Sequence, residues 1–206
     1  MRAAIVFILS GWLCASAALA QQRVQLPPDA LVDGVSQLEL SQRWWQWAFS
    51  FERSHSPVAD RTGQLCASRQ SGKVWFLAGT YGTARVIRTC HVPQGKTLFF
   101  PLINAMVYRP EGSDQPCDSL KEDAAEMTDS PAALLLDVDG RRAGDLRAHR
   151  FATPRCFSLV PGEPADAAAN GYYVALPPLP RGTHTINFGG ILPTFSQAVT
   201  YNIIVE

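Results

Sequence analysis

The chain lacks a charge bias, a metal-binding spacing and every familiar catalytic signature. Its 18 Lys and Arg residues balance 18 Asp and Glu residues, a formal charge of +0. Nucleic acid and anionic membrane surfaces need a concentrated positive patch, so neither is an expected partner. No Cys-x-x-Cys or His-x-x-x-His spacing occurs, which removes the ordinary zinc patterns. The Gly-x-Ser-x-Gly elbow, the His-Glu-x-x-His helix, the Walker loop and the dinucleotide glycine fingerprint are also missing. Asp137-Val138-Asp139-Gly140 lacks the downstream ligands of a calcium loop and reads as a turn. Neither a metal nor a cofactor is therefore expected. Beyond the N-terminus, no apolar run approaches the roughly 20 residues that cross a bilayer. Internal repeats, low-complexity tracts and interdomain linkers are absent too.

What is present begins with a leader. Arg2, the apolar stretch Ala3 to Leu13, and Ala18-Leu19-Ala20 together read as a cleavable signal peptide over residues 1–20. The expected destination is the periplasm or the extracellular medium. Cys14 follows Trp12-Leu13, too bulky for lipoprotein processing, so it is expected to leave with the leader. Losing Arg2 takes the basic count from 18 to 17 against 18 acidic residues, a net of −1. Export also changes the meaning of Cys66, Cys90, Cys117 and Cys156, which become candidates for two disulfides. Four cysteines allow three pairings. Cys66–Cys90 with Cys117–Cys156 is favoured, because the first two flank one expected hairpin.

The rest reads as an extended lead-in over residues 21–35 and a single domain over 36–206. Ser36-Gln37-Leu38-Glu39 has the form of a capping box, opening a helix from about Gln37 to Phe51. Leu40, Trp44, Trp47 and Phe51 form one stripe, with Trp45, Ala48 and Phe49 beside it. Strands follow at Val74–Ala78, Arg85–Val92 and Thr97–Phe100, with Pro101 implying a bulge or an edge. A short helix is expected over Ser119–Met127, and a hairpin around Asp139-Gly140. Short strands are expected near Phe157–Val160 and Tyr172–Leu176. In the last two, around Ile186 and Tyr201, residues such as His184, Ile186 and Phe188 or Val199, Tyr201, Ile203 and Val205 recur with period two, one face inward and one wet. The expected fold is mainly β: a two-layer antiparallel β-sandwich with an N-terminal Trp-rich helix and a second short helix.

Three stretches also carry a resemblance: Trp44-Trp45-Gln46-Trp47-Ala48, Val74-Trp75-Phe76-Leu77-Ala78-Gly79, and Val92-Pro93-Gln94-Gly95-Lys96-Thr97-Leu98-Phe99-Phe100-Pro101-Leu102-Ile103-Asn104. Through them the chain resembles a group of uncharacterised exported bacterial proteins over most of residues 36–205. The resemblance implies export, a shared fold and a bacterial source. It supplies no catalytic residue.

Candidate chemistry is sparse. Trp44, Trp45 and Trp47 either pack the helix onto a sheet, the favoured reading, or present an aromatic binding face. His55 and Asp60 share one loop with Ser54, Ser56 and Thr62, where a general-base unit competes with ordinary turn chemistry. Asn104 ends an apolar run and either bonds backbone or points into a cleft. Glu111 and Asp114 lie in a loop that could converge on Asp60. His184 sits on the apolar face of its strand and reads as a satisfied, half-buried imidazole. The favoured function is a non-catalytic exported module that binds a carbohydrate or an envelope protein. The alternatives are a hydrolase with a loop-assembled site and a structural envelope component.

Overall fold

In the computed structural model, residues 23–82 and 85–206 are described. The leader assigned to residues 1–20, Cys14 included, lies outside the described residues. Nine strands form two sheets packed face to face among the described residues. They are β1 (Val74–Phe76), β2 (Val86–Val92), β3 (Thr97–Tyr108), β4 (Ala133–Val138), β5 (Arg141–Arg142), β6 (Arg150–Ala152), β7 (Ala167–Leu176), β8 (Gly182–Ile191) and β9 (Ser196–Val205). One sheet runs β1-β3-β7-β6 and the other β2-β9-β8-β4-β5. Among the described residues the two α-helices are α1 (Gln37–Phe49) and α2 (Cys117–Thr128). The fold is thus mainly β, a sandwich with two helices. Most pairs are antiparallel, but two edge pairs, β1 with β3 and β2 with β9, run parallel.

The expected hairpin between Val74–Ala78 and Arg85–Val92 does not form. β1 and β2 belong to different sheets, and the segment between them crosses the sandwich. The favoured disulfide pairing holds all the same: Cys66 bonds Cys90 and Cys117 bonds Cys156. The first bridge fixes the loop before β1 against β2; the second fixes α2 to the segment before Phe157.

β3 is longer than its sequence suggests. A bulge between Pro101 and Ile103 absorbs the proline, and pairing with β7 resumes on the far side. The bulge also shifts which residues face inward. Before it, Leu98 and Phe100 enter the core between the sheets while Phe99 faces α1. After it, Ile103 faces the core and Asn104 the outer side. Being covered on both faces, β3 and β7 read as continuous apolar runs, whereas β8 and β9 alternate.

α1 starts where its cap predicts. The Glu39 backbone N–H donates to Ser36 Oγ at 3.2 Å. The reciprocal half of the capping box is missing, because the Glu39 carboxylate accepts from Arg43 instead. The helix stops at Phe49, short of Phe51, and lays Leu40, Trp44, Trp47 and Ala48 onto Phe99, Tyr173 and Ala175. The lead-in is pinned down as well: the Gln37 amide donates to Pro27 O at 2.6 Å, and Leu26 N–H to Ala175 O at 2.9 Å.

The crossover between the sheets is held by Arg88. Val86, Arg88, Cys90 and Val92 form the inward face of β2, and Arg88 is 1% exposed. Its Nε donates to Asp60 O at 2.7 Å and one terminal nitrogen to Val58 O at 3.2 Å. The other donates to Ala78 O, Gly79 O and the Tyr201 hydroxyl at 2.7, 2.9 and 3.0 Å. The cation forms no ion pair among the described residues. Backbone carbonyl dipoles from two loops take the place of a carboxylate. Beside it, Thr89 N–H donates to Thr62 O at 2.9 Å, and Gly63 lies so close that a Cβ there would fall 2.2 Å from Thr89 O. Only glycine fits.

Arg88→Met should destabilise the fold by about 3 kcal/mol or more, since several buried carbonyls lose their donor together. Arg88→Lys should recover little, because a point ammonium cannot span the same acceptors. Urea denaturation measures both, and a loss below about 1 kcal/mol for Arg88→Met would contradict this account.

Candidate functional site

The three tryptophans take different roles. Trp44 and Trp47 are 2% and 6% exposed, and their indole N–H groups donate to Leu77 O at 2.9 Å and Ser68 O at 3.1 Å. These two are core residues whose polar atoms are satisfied. Trp45 is half-buried, and its N–H donates to the Tyr173 hydroxyl at 2.9 Å. Trp44 meets Trp45 edge to face at a centroid separation of 5.1 Å. A hydrogen bond on one side and a ring on the other hold the Trp45 indole in one orientation.

Asn104 completes this unit. It lies within β3, not at its end, and its amide donates to the same Tyr173 hydroxyl at 3.0 Å. The cross-strand partner of Asn104 is Gly171, where a Cβ would fall 2.5 Å from the Asn104 Cβ. The glycine makes room for the asparagine. Tyr173 is fully buried, and burial raises its phenol pKa despite the lowering effect of the Asn104 and Trp45 hydrogen bonds. It stays a neutral phenol and a fixed acceptor.

A hollow of about 270 Å³ opens beside this unit, lined by Trp44, Trp45, Tyr81, Asn104, Met106 and Gln197 among others. A second, of about 260 Å³, is lined by Arg53, Asp60 and Arg61. Val58, Thr80 and Tyr81 line both, so the hollows adjoin as one groove. Tyr81 is 48% exposed, with the Arg53 guanidinium 4.8 Å from its ring centroid. The groove is aromatic at one end and charged at the other.

The remaining sequence candidates are placed as follows. Asp60 reaches the charged end, but its carboxylate is occupied. Oδ1 accepts from the Thr62 N–H and hydroxyl at 2.8 and 2.9 Å, and Oδ2 from the Leu65 N–H at 2.8 Å. Partial burial acts to raise its pKa, and these donors with Gly63 outweigh that and lower it. A carboxylate so stabilised is a weak base. His55 lies in an exposed single helical turn, its Nδ1 2.9 Å from Ser54 Oγ. No hydrogen bond joins it to Asp60 among the described residues, and it lines neither hollow. Glu111 and Asp114 line neither hollow. Tyr173, Tyr81 and Gln197 have no signature of their own; the Tyr172-Tyr173 pair on an apolar strand was the available hint.

His184 accounts for itself at the other sheet. Its Nδ1 lies 2.7 Å from Asp139 Oδ2 and its Nε2 2.9 Å from Pro180 O. Two oxygen acceptors favour the imidazolium. Burial acts to lower its pKa, but Asp139 and Pro180 raise it overall. Burial likewise acts to raise Asp139, and His184, Thr185 and Arg141 bring it below its ordinary value.

No protein-family model matches the chain, and no curated protein matches it. Among solved structures, "Solution Structure of Amebosin" is similar over 59% of this chain and 96% of its own length, at 10% identity and a TM-score of 0.21. So slight a likeness carries nothing about fold or function.

Tyr173→Phe should destabilise by about 1–3 kcal/mol, because the Trp45 and Asn104 donors lose their shared acceptor. It should also broaden the tryptophan emission as the Trp45 ring loosens. Unchanged stability and emission would contradict the three-residue unit. For the histidine, the folded pKa lies above the unfolded one. Its contribution is full below the ordinary histidine value and lost as pH rises through the raised value. On the acid side, the Asp139 contribution is lost as pH falls through its lowered value. Thermal melts between about pH 6 and about pH 8.5 should show a loss of stability with rising pH that His184→Asn reduces.

Proposed function

We propose that this is an exported, non-catalytic binding module whose groove takes a carbohydrate. The observation that carries the proposal is the Trp45–Tyr173–Asn104 unit at the groove wall. Sugars are bound by a rigid aromatic face against their C–H groups and by fixed amides against their hydroxyls, and this unit supplies both. Tyr81 adds a second, exposed ring where the hollows meet. Gln197 lines the same hollow, but its amide is committed: Nε2 donates to Pro101 O and Leu102 O, and Oε1 accepts from Thr80 N–H.

A module suits the charged end better than a hydrolase does. Asp60 holds the loop in shape with both oxygens, so no free carboxylate stands ready for acid–base work there. The two disulfides suit an oxidising compartment, and no described helix is long and apolar enough to cross a membrane. Export through the leader belongs to the same proposal, and the resemblance to exported bacterial proteins supports it.

Titrating the protein with a panel of polysaccharides should change its tryptophan fluorescence with at least one of them. Trp45→Ala should then weaken that binding by about 2 kcal/mol or more, and Asn104→Ala by a smaller amount. No response across the panel, or an affinity indifferent to Trp45→Ala, would remove the carbohydrate reading. Retention on an envelope protein instead would point to the other class of partner.

A further inference from the structure

The aromatic hollow of the groove holds fewer free polar groups than the hydroxyls of a plain sugar demand. It lies where α1, β3, α2 and the β8–β9 turn meet, with Trp45, Asn104, Met106, Met127 and Phe195 among its walls. Asn104 and Met106 stand two residues apart on β3 and share one face of the strand. Met127 is 41% exposed on α2. The Trp44 and Trp45 N–H groups and the Gln197 amide are spent on protein partners. The Thr80 and Tyr81 hydroxyls belong to the junction with the second hollow.

Asn104 differs from these. Its Nδ2 donates to the Tyr173 hydroxyl at 3.0 Å, whereas its Oδ1 accepts no hydrogen bond among the described residues. That oxygen is not sealed from solvent either. The buried side-chain polar atoms without a partner, among the described residues, are Gln37 Oε1, Trp75 Nε1 and His149 Nδ1. Asn104 Oδ1 is therefore an open acceptor, held in place through Nδ2, in a hollow it shares with two methionines and a phenylalanine.

A sugar hydroxyl that donated to this oxygen would set its own oxygen among thioether and aromatic carbon, where it finds no donor. An acetamido group avoids that cost. Its amide is planar and trans, which puts the N–H and the methyl on one side and the carbonyl on the other. The N–H then meets Asn104 Oδ1, the methyl meets Met106 and Met127, and the carbonyl turns outward to water. Methionine side chains adapt readily to a small apolar group. We propose that the ligand of this groove is a glycan of 2-acetamido sugars, an inference that rests on the carbohydrate reading given above.

Fluorescence titration of the leader-free protein with four tetrasaccharides tests it. Two carry acetamido groups: chitotetraose, and a peptidoglycan glycan strand freed of its peptides. Cellotetraose has a hydroxyl in that place and chitosan tetraose an amine. At least one acetamido glycan should bind about tenfold or more tighter than either of these, and the tighter of the two acetamido glycans identifies the source. Met127→Gln, a change on an exposed side chain, should weaken the acetamido glycan at least about threefold and cellotetraose less. Its melting temperature verifies the fold. Trp45→Ala should weaken acetamido and plain glycans by similar factors. Cellotetraose or chitosan tetraose binding as tightly as the acetamido glycans overturns the proposal, and Trp45-dependent binding would then still uphold the groove as a carbohydrate site. A preference untouched by Met127→Gln overturns it as well, as does silence from both acetamido glycans when another polysaccharide binds. Failure of every glycan removes the carbohydrate reading itself.

Discussion

A guanidinium with no ion-pair partner among the described residues sits at the centre of this protein. Arg88 is buried on the inner face of β2, and its charge is met by the carbonyls of Val58, Asp60, Ala78 and Gly79 and by the Tyr201 hydroxyl. Burying a cation without such acceptors would cost several kcal/mol, so both loops must stay where their carbonyls point inward. One of those loops carries Asp60; the other carries Thr80 and Tyr81. The groove therefore inherits its shape from a side chain that never touches it. Tyr201 extends the same network, since its hydroxyl also accepts from Ala78 N–H at 3.1 Å and its ring stacks on Phe188.

The groove shows a similar economy on the other side of the sheet. Tyr173 offers one oxygen to two donors from distant parts of the chain, Trp45 on α1 and Asn104 on β3. Its ring stacks on Phe99 at a centroid distance of 5.8 Å, so the oxygen is held by core packing. Through that oxygen the groove wall is anchored to the most buried part of the molecule.

Much of the scaffold was legible, for physical reasons that differ by element. β8 and β9 showed themselves because each has one wet face, which stamps period two on the sequence. α1 was legible from Ser36 and its aromatic stripe. Where both faces are covered, the pattern vanishes, and β3 could be read only up to Pro101. β6 was missed because Arg150, bonded to Asn170 and Asp129, gives a three-residue strand the polarity of a loop. The false hairpin arose because proximity in sequence suggests pairing, while Arg88 in the alternation Val86, Arg88, Cys90, Val92 was a charge at a core position. It was the visible sign of a crossover. The site was less legible still. Trp45 and Asn104 were both candidates, but their link runs through Tyr173, which is 69 residues from Asn104. Distances of that kind are written in the fold alone.

The two disulfides have a consequence for biogenesis. They close residues 66–90 and 117–156, spans of 24 and 39 residues that neither nest nor overlap. Each cysteine of the described domain thus joins its immediate neighbour among the cysteines. A chain threaded N-terminus first into an oxidising compartment meets its correct partners in order of arrival. The first bridge can close before Cys117 emerges, and at no stage must a wrong bridge be opened to reach the right set. In this pairing neither bridge has to reach past a cysteine of the other.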